Sequence, residues 1–92
     1  MLQQEERRLM TQRIVQDQNI GKNLRILRLK ADMTQEQVSQ KLQLMGLPMS
    51  REIYAQIEMG RHHIPITVLQ GLKIVLKAEW DEMLALSEPL EK

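Results

Sequence analysis

Apolar residues recur at intervals of three and four positions along most of the chain, which is the spacing of one face of an α-helix. The first regular stretch starts near residue 20 and closes at Asp32 and Met33. Basic and polar residues occupy the positions between the apolar ones, as expected when one face packs and the other meets solvent. The pattern predicts an amphipathic first helix with its core side at Ile20, Leu24, Leu27 and Ala31.

A second helix is predicted to begin at Thr34. Thr34 and Gln37 have the spacing of a capping box, in which each side chain bonds the backbone N–H of the other residue. Gly46 provides a left-handed stop, and Pro48 follows it. The predicted core side of this helix is Val38, Leu42 and Met45.

A third helix of about three turns is predicted to begin at Ser50, which is again a good capping residue. Tyr54 and Ile57 have the spacing of its buried side. The helix should end at about Met59, because Gly60 can adopt the left-handed conformation that stops a helix.

Two further helices complete the pattern. After Ile64 and Pro65, Thr67 and Gln70 repeat the capping-box spacing at the start of a fourth helix. A last short helix is predicted around Trp80 to Leu86. The core side of the fourth helix is Leu69, Leu72 and Leu76.

Length and composition indicate one all-α domain. A chain of 92 residues has room for one modest core. Aromatic residues, which favour strands, are limited to Tyr54 and Trp80. We expect a helical N-terminal extension over residues 1–19, which contain neither Gly nor Pro, a compact domain over 20–86 and a C-terminal tail over 87–92.

Charge is unevenly distributed although the net charge is only +1. Residues 20–77 carry nine Lys and Arg against four acids, whereas 1–19 are balanced and 78–92 have a net charge of −4. A basic middle is compatible with contact to nucleic-acid phosphates.

Several kinds of chemistry are missing from the sequence. The absence of cysteine excludes disulfides, thiolate metal ligands and thiol nucleophiles. There is no glycine-rich phosphate loop and no catalytic cluster, so we expect no enzyme activity, no metal and no cofactor. No apolar run has the length of a membrane span, so a soluble protein without a membrane partner is expected.

Two short capped helices follow a basic helix along the chain. In such an arrangement the second helix of the pair can enter a major groove. Helical hairpins are also common in all-α domains, where they do no more than pack a core. The residues by themselves favour that plainer interpretation.

The motifs, however, resemble the phage-repressor type of helix-turn-helix, the Cro and lambda-repressor-like family, also called the xenobiotic response element family. The resemblance extends from Ile20 to Leu84 and implies a compact five-helix fold that binds double-stranded DNA. The motifs that carry it are Ile20-Gly21-Lys22-Asn23-Leu24-Arg25, Met33-Thr34-Gln35-Glu36-Gln37-Val38-Ser39, Ser50-Arg51-Glu52, Ile57-Glu58-Met59-Gly60-Arg61 and Trp80-Asp81-Glu82-Met83-Leu84.

The resemblance assigns base reading to the start of the third helix. Arg51 could then bond guanine bidentately, Gln56 could bond adenine, and Glu52 could accept a hydrogen bond from cytosine. The alternative is a solvated helix face on which Glu52 and Gln56 are merely neighbours four positions apart. The matching positions are Ser50, Arg51, Glu52 and Gln56.

Four more residues match positions that contact DNA phosphates. Gln35, at the positive start of the second helix, resembles a phosphate-binding residue, although it could simply face solvent. Arg61, His62 and His63 lie where the family often contacts the backbone. Adjacent histidines also suggest a metal site, but neighbouring side chains point apart and no other ligand cluster joins them, so phosphate or solvent is favoured.

Other matched positions have structural roles in the family. Arg28 and Glu58 match an ion pair between the first helix and the end of the third, and Ser39 matches a small residue between two helices. Asn23 and Arg25 could touch the DNA backbone or simply lie at the surface.

The sequence departs from the family pattern between Thr34 and Ser50. This interval is about five residues longer than usual, which should lengthen the second helix by nearly a turn and replace a tight turn with Gly46 to Met49. Leu44, Met45 and Leu47 would cover the longer crossing.

The preferred function is a sequence-specific transcriptional regulator of the repressor type in the cytoplasm of a bacterium, or derived from a phage. A homodimer on an inverted repeat is expected, because one short helix reads too few bases to be selective. An antitoxin is a close variant, with a toxin bound through residues 1–19 or the acidic tail.

The second class is a protein-interaction module that has lost DNA binding. The third-helix segment supports this class because it is nearly neutral: its two basic residues balance its two acidic residues. Those residues are Arg51 and Arg61 against Glu52 and Glu58.

Overall fold

The computed structural model of the protein describes residues 13–14 and 18–85. Within them, five helices form the domain and one short β-ribbon joins it, so the predicted all-α, five-helix class is confirmed. In chain order the elements are β1 (Arg13–Ile14), α1 (Gln18–Lys30), α2 (Gln35–Leu44), α3 (Arg51–Glu58), β2 (Ile64–Pro65), α4 (Ile66–Leu76) and α5 (Trp80–Leu84).

Side-chain caps determine where α2 and α3 begin, as predicted. Thr34 Oγ1 accepts from Gln37 N at 3.0 Å and Gln37 Oε1 accepts from Thr34 N at 2.8 Å, which completes the capping box. Ser50 Oγ accepts from Ile53 N at 3.1 Å. Gly46 and Gly60 adopt φ values of +83° and +76°, so both act as the left-handed stops expected of them.

The predicted start of α4 is wrong. Pro65 is the N-cap, with φ −59° and ψ 146°, and Ile66 is already helical, so Thr67 lies inside the first turn and makes no capping bond. Pro65 has no side-chain oxygen that could accept a bond from the first N–H groups, so α4 begins without a side-chain cap. At the other end of the domain, α5 stops at Leu84 because Ala85 is extended, and Leu86 lies outside the described residues.

Of the leader, residues 1–19, the structure describes 13–14 and 18–19, and of these only Gln18 and Asn19 are helical. Arg13 and Ile14 form a strand that pairs antiparallel with β2, with Arg13 opposite Pro65 and Ile14 opposite Ile64. A non-local ladder thus prevails over helix propensity, which is only a weak preference. Residues 1–12 and 15–17 of the predicted extension lie outside the described part of the chain, and α1 begins at Gln18.

Every helix contributes fully or nearly fully buried side chains to one core, each stabilising the fold by about 1.5–3 kcal/mol relative to exposure. Two predicted core residues are outside it, and Leu44, which was expected to help cover the longer crossing, is 87 % exposed. Met45 is 41 % exposed because it is the C-cap of α2, and Ala31 is exposed beyond the end of α1. The apolar side chains with the lowest exposure are Leu24, Val38, Leu42, Tyr54, Ile57, Ile64, Leu69, Leu72 and Met83.

Two contacts hold the long connection between α2 and α3 in place. Gln43 Nε2 donates to Met49 O at 2.6 Å. Leu47 packs over Gly71 of α4, where a Cβ atom would come within 2.6 Å of Leu47 Cδ1.

Ser39 is buried, and its Oγ donates to Glu36 O at 2.8 Å, so α2 presents a small side chain to the core as predicted.

Asn23 joins α1 to α5. Its Nδ2 donates to Met83 O at 3.0 Å and to Ala85 O at 2.6 Å. Both amide hydrogens are used in the domain, so the interpretation of Asn23 as a DNA-backbone contact is replaced by a structural one.

None of the helices among residues 18–85 has the length and apolar character needed to cross a membrane.

Candidate nucleic-acid interface

The outer face of α3 carries the predicted base-reading residues. Tyr54 and Ile57 are completely buried on its inner face, which leaves Glu52 and Gln56 one turn apart on the other side. The side chains of Arg51 and Glu52 are 52 % and 75 % exposed, and they form an ion pair at 3.6 Å. The structure thus brings the predicted residues onto one accessible helix face.

Ser50 has a structural role that precedes any contact with DNA. Its hydroxyl oxygen caps α3 by accepting the bond from Ile53, and the residue is half-buried. The hydroxyl hydrogen is not used in that bond and can still donate to a partner.

An open groove joins the starts of α2 and α3. Gln35, Arg51 and Arg25 contribute its polar and cationic groups. Helix N-termini favour negative ligands because their first N–H groups are unpaired. The groove therefore offers an anion two helix starts and the guanidinium groups of Arg25 and Arg51, whereas Arg28 is paired with Glu58 and Glu36 adds one carboxylate; the lining is Arg25, Arg28, Leu29, Met33, Thr34, Gln35, Glu36 and Arg51.

A buried ion pair supports this surface from below. Arg28 Nε donates to Glu58 Oε2 at 2.7 Å and Arg28 Nη2 donates to Oε1 at 3.1 Å, with side chains 10 % and 2 % exposed. Arg28 Nη1 also donates to Met33 O at 2.9 Å. The pair implied by the resemblance is confirmed, and it ties α1 and the α1–α2 turn to the end of α3.

Both members of this pair are charged. Burial acts to raise the pKa of Glu58, but hydrogen bonds from Arg28 and Gln35 stabilise the carboxylate, and the net pKa is lower than its ordinary 4.5. The hydrogen bond to Glu58 raises the pKa of the Arg28 guanidinium. The pair thus stays ionised at neutral pH.

Gln35 belongs to the same network. Its Nε2 donates to Glu58 Oε1 at 3.0 Å, a bond that the sequence did not indicate. The match of Arg28 and Glu58 located the pair, but a residue 23 positions away from Glu58 carries no local pattern that would add it. The phosphate contact predicted for Gln35 stays a prediction.

Tyr54 brings a polar atom into the core next to this network. Its hydroxyl is buried and has no hydrogen-bond partner among the described residues. Burial and the charge of Glu58 raise the pKa of Tyr54, so the hydroxyl is neutral.

Arg61, His62 and His63 lie past the other end of α3. This helix has eight residues, so about 12 Å of helix separates them from the start at Arg51. Arg61 and His63 are exposed and His62 is half-buried, with His62 Nδ1 2.7 Å from His63 O. They form a second polar surface that does not line the groove.

The side chains of His62 and His63 are close to each other, but among the described residues no third metal-ligating side chain joins them. Their ring centroids are 5.7 Å apart and the rings are tilted by 53°. Across the described residues, no group of three or more His, Asp or Glu side chains could hold a metal ion.

A five-helix domain that exposes the polar face of a capped α3 beside the start of α2 is a helix-turn-helix domain. Residues 24–82, more than half of the chain, match a protein family described as helix-turn-helix. The chain belongs to this family, which is of the phage-repressor, Cro and C1 type. Its members are DNA-binding domains of transcription regulators rather than enzymes. Comparison with curated proteins and with solved structures gave no significant match.

Proposed function

We propose that the protein is a repressor-type transcriptional regulator that binds a specific double-stranded DNA site with α3 in the major groove. The observation that carries this proposal is the division of α3 into a completely buried side, Tyr54 and Ile57, and an outer side on which Arg51 and Glu52 are exposed and Gln56 is half-buried. A helix held in this way can enter a groove without losing its packing.

Base reading is proposed for Ser50, Arg51, Glu52 and Gln56. Arg51 is free to reach a guanine, because its exposed ion pair with Glu52 contributes only about 0–1 kcal/mol. Gln56 suits adenine and Glu52 suits cytosine.

Phosphate contacts are proposed at both ends of α3. Gln35 faces the groove that Arg25 and Arg51 line, and Arg61 with His62 and His63 follows the far end of the helix. Contacts at two separated points would fix the orientation of α3 on the duplex.

The charge of the third-helix segment also favours DNA. Its four charged residues cancel in the sequence, but Glu58 is buried and neutralised by Arg28. The exposed charges are Arg51 and Arg61 against Glu52, so the accessible surface is net positive. This weakens the argument for a protein-interaction module, and nothing specific favours an antitoxin or an enzyme.

The proposed assembly is a homodimer on an inverted repeat, acting in the cytoplasm of a bacterium. One helix of eight residues reads too few bases to be selective by itself. Exposed apolar side chains that a second copy could cover include Ile74, Trp80 and Leu84 on α4 and α5.

Selection from a random duplex library, followed by binding measurements over a salt series, tests the proposal. We expect an enriched palindromic site and affinity that falls steeply with salt. Arg51→Ala and Gln56→Ala should each lower affinity by roughly 10- to 100-fold and relax one base preference, since a bidentate base contact contributes about 1–3 kcal/mol.

Lys77→Ala is the matched control, because Lys77 is an exposed cation at the C-cap of α4. It should leave the base preference unchanged. If Arg51→Ala and Gln56→Ala behaved like the control, base reading by α3 would be wrong. If no sequence were enriched, the protein-interaction module would become the better proposal.

A further inference from the structure

The Gln35 side chain lies between the buried network and the open groove. It is the first residue of α2, it lines the groove, and its Nε2 bonds Glu58 Oε1. This is the one hydrogen bond of its amide within the described residues. The side chain therefore connects an interior carboxylate with a surface proposed to meet DNA.

Glu58 determines which end of the Gln35 amide points inward. An ionised carboxylate only accepts hydrogen bonds, so it can face the NH₂ end of the amide and repels the carbonyl end. The NH₂ group has two hydrogens, and Glu58 takes one. The second is available to an acceptor in the groove.

The carboxylate itself is held firmly. Two bonds from Arg28, at 2.7 and 3.1 Å, fix both of its oxygens, and its side chain is 2 % exposed. Such a charge-assisted bidentate pair has a defined geometry. Gln35 thus bonds to an acceptor that cannot easily move.

We propose that Glu58 is a positioning residue for DNA binding, which acts by holding the Gln35 amide with an N–H directed to a backbone phosphate. The inference rests on the proposed function, because it takes Gln35 as a phosphate contact. Without the carboxylate, the amide can flip so that its carbonyl oxygen takes the place of the NH₂ group, and this oxygen and the phosphate would then be two acceptors facing each other.

The position of Glu58 gives this contact a second consequence. Glu58 is the last residue of α3, the proposed reading helix, whereas Gln35 is the first residue of α2. One carboxylate therefore sets the phosphate contact and the end of the reading helix relative to each other. Backbone contacts of this kind fix the register of a protein on the duplex.

The test uses the full chain and the selected duplex, with single phosphates replaced by neutral methylphosphonates. Gln35→Ala should weaken binding roughly tenfold and abolish the effect of methylphosphonate at one particular phosphate, because a hydrogen bond to a charged group is lost. Glu58→Gln should abolish the effect at the same phosphate. The double variant should bind about as well as either single variant.

Asp81→Asn is the charge control. It removes one acid from an exposed position on α5 and should keep the methylphosphonate effect. Since Glu58→Gln also weakens a buried pair, each variant is compared at equal folded concentration. Glu58→Asp provides a second variant, which keeps the charge beside Arg28 but shortens the reach to Gln35, and it should lose the same phosphate effect.

The outcomes separate the inference from the function on which it rests. If the wild-type chain bound no duplex selectively, both would fail. If it bound but Glu58→Gln kept the phosphate effect, or if the effects of Gln35→Ala and Glu58→Gln multiplied to about a hundredfold, only the positioning role would be overturned. The same holds if Gln35→Ala changed the effect of no phosphate.

Discussion

Two charged residues, Arg28 and Glu58, lie in the interior of the domain and form an ion pair. The Arg28–Glu58 pair is almost completely buried and satisfies both carboxylate oxygens. Such a pair contributes little net stability compared with apolar packing, but removing one partner leaves a buried charge and costs about 3–5 kcal/mol. Its role is to fix α3 relative to α1, which determines where the proposed reading face points.

The stability of the domain should fall in acid because of Glu58. Its pKa is lowered in the folded state, since hydrogen bonds from Arg28 and Gln35 outweigh burial. A lowered folded pKa contributes stability above the unfolded pKa near 4.5, and this contribution is lost as pH falls through the folded pKa. Urea unfolding at a series of pH values between neutral and acid conditions measures the loss.

Glu58→Gln is the informative variant in that series. It should be less stable at neutral pH, and its stability should fall less steeply in acid than that of the wild type. Asp81→Asn serves again as the exposed control and should follow the wild-type curve. Parallel wild-type and Glu58→Gln curves would contradict the assignment.

Among the elements, α2 and its connection to α3 contain the interval that the sequence predicts to be longer than in the family. The longer segment is held by the Gln43 bond to Met49 O and by Leu47 over Gly71. Met49 is also buried, so two apolar side chains of the connection pack on the core while Gly46 and Pro48 stay exposed. The start of α3 is therefore positioned by packing as well as by its cap.

Gly71 leaves room for Leu47 and Leu42 to pack closely against α4. An added Cβ would lie 2.6 Å from Leu47 Cδ1 and 3.0 Å from Leu42 Cδ2, so Gly71→Ala should destabilise the domain by about 1–3 kcal/mol despite the better helix propensity of alanine. A double-mutant cycle with Leu47→Ala measures the coupling in urea. We expect Gly71→Ala to cost clearly less in the Leu47→Ala background. Equal costs in both backgrounds would mean that the contact with Leu47 does not restrict position 71.

The helix starts give a second prediction at the scale of elements. Thr34 makes a capping bond and Thr67 does not, although both have a Gln three positions later. Thr34→Ala should therefore cost about 1 kcal/mol in free energy of unfolding, and Thr67→Ala should change it by less than about 0.5 kcal/mol. Chemical unfolding of the two variants compares them directly. A similar loss of unfolding free energy in both variants would contradict the capping role of Thr34.

In the whole molecule, one core joins all five helices and a short ribbon attaches the leader at β2. The polar ends of α2 and α3 meet at the groove, and Arg61 to His63 lie beyond the other end of α3. In the third-helix segment, residues 51–61, the exposed charges are net positive because the fold buries Glu58. The domain thus exposes polar side chains at the groove, where DNA binding is proposed, and apolar side chains on α4 and α5.

The proposed dimer predicts the composition of the complex. On the selected palindrome, sedimentation or light scattering should give a mass corresponding to two 10.8 kDa chains per duplex, and a single half-site should bind one chain much more weakly. A duplex with half-sites separated by an extra half-turn is the control and should lose the two-chain complex. One chain per full palindrome at saturation would contradict the homodimer.

The sequence by itself determined the local features, because these depend on neighbouring residues. The caps at Thr34 and Ser50, the stops at Gly46 and Gly60 and the apolar stripes all follow from intervals of a few residues. The family motifs added the Arg28–Glu58 pair and the exposed face of α3. The local predictions were accurate at Thr34, Ser50, Gly46 and Gly60, whereas the same capping pattern at Thr67 was wrong because α4 already begins after Pro65.

Tertiary structure decided what depends on distant partners. The strand at Arg13 and Ile14 exists through its pairing with β2, and Asn23 turns inward because the carbonyls of α5 lie within reach. Gln35 meets Glu58 across 23 positions of sequence. A polar side chain has the same local pattern whether water or a buried carboxylate is its partner, so only the packing of α1, α2 and α3 could assign it.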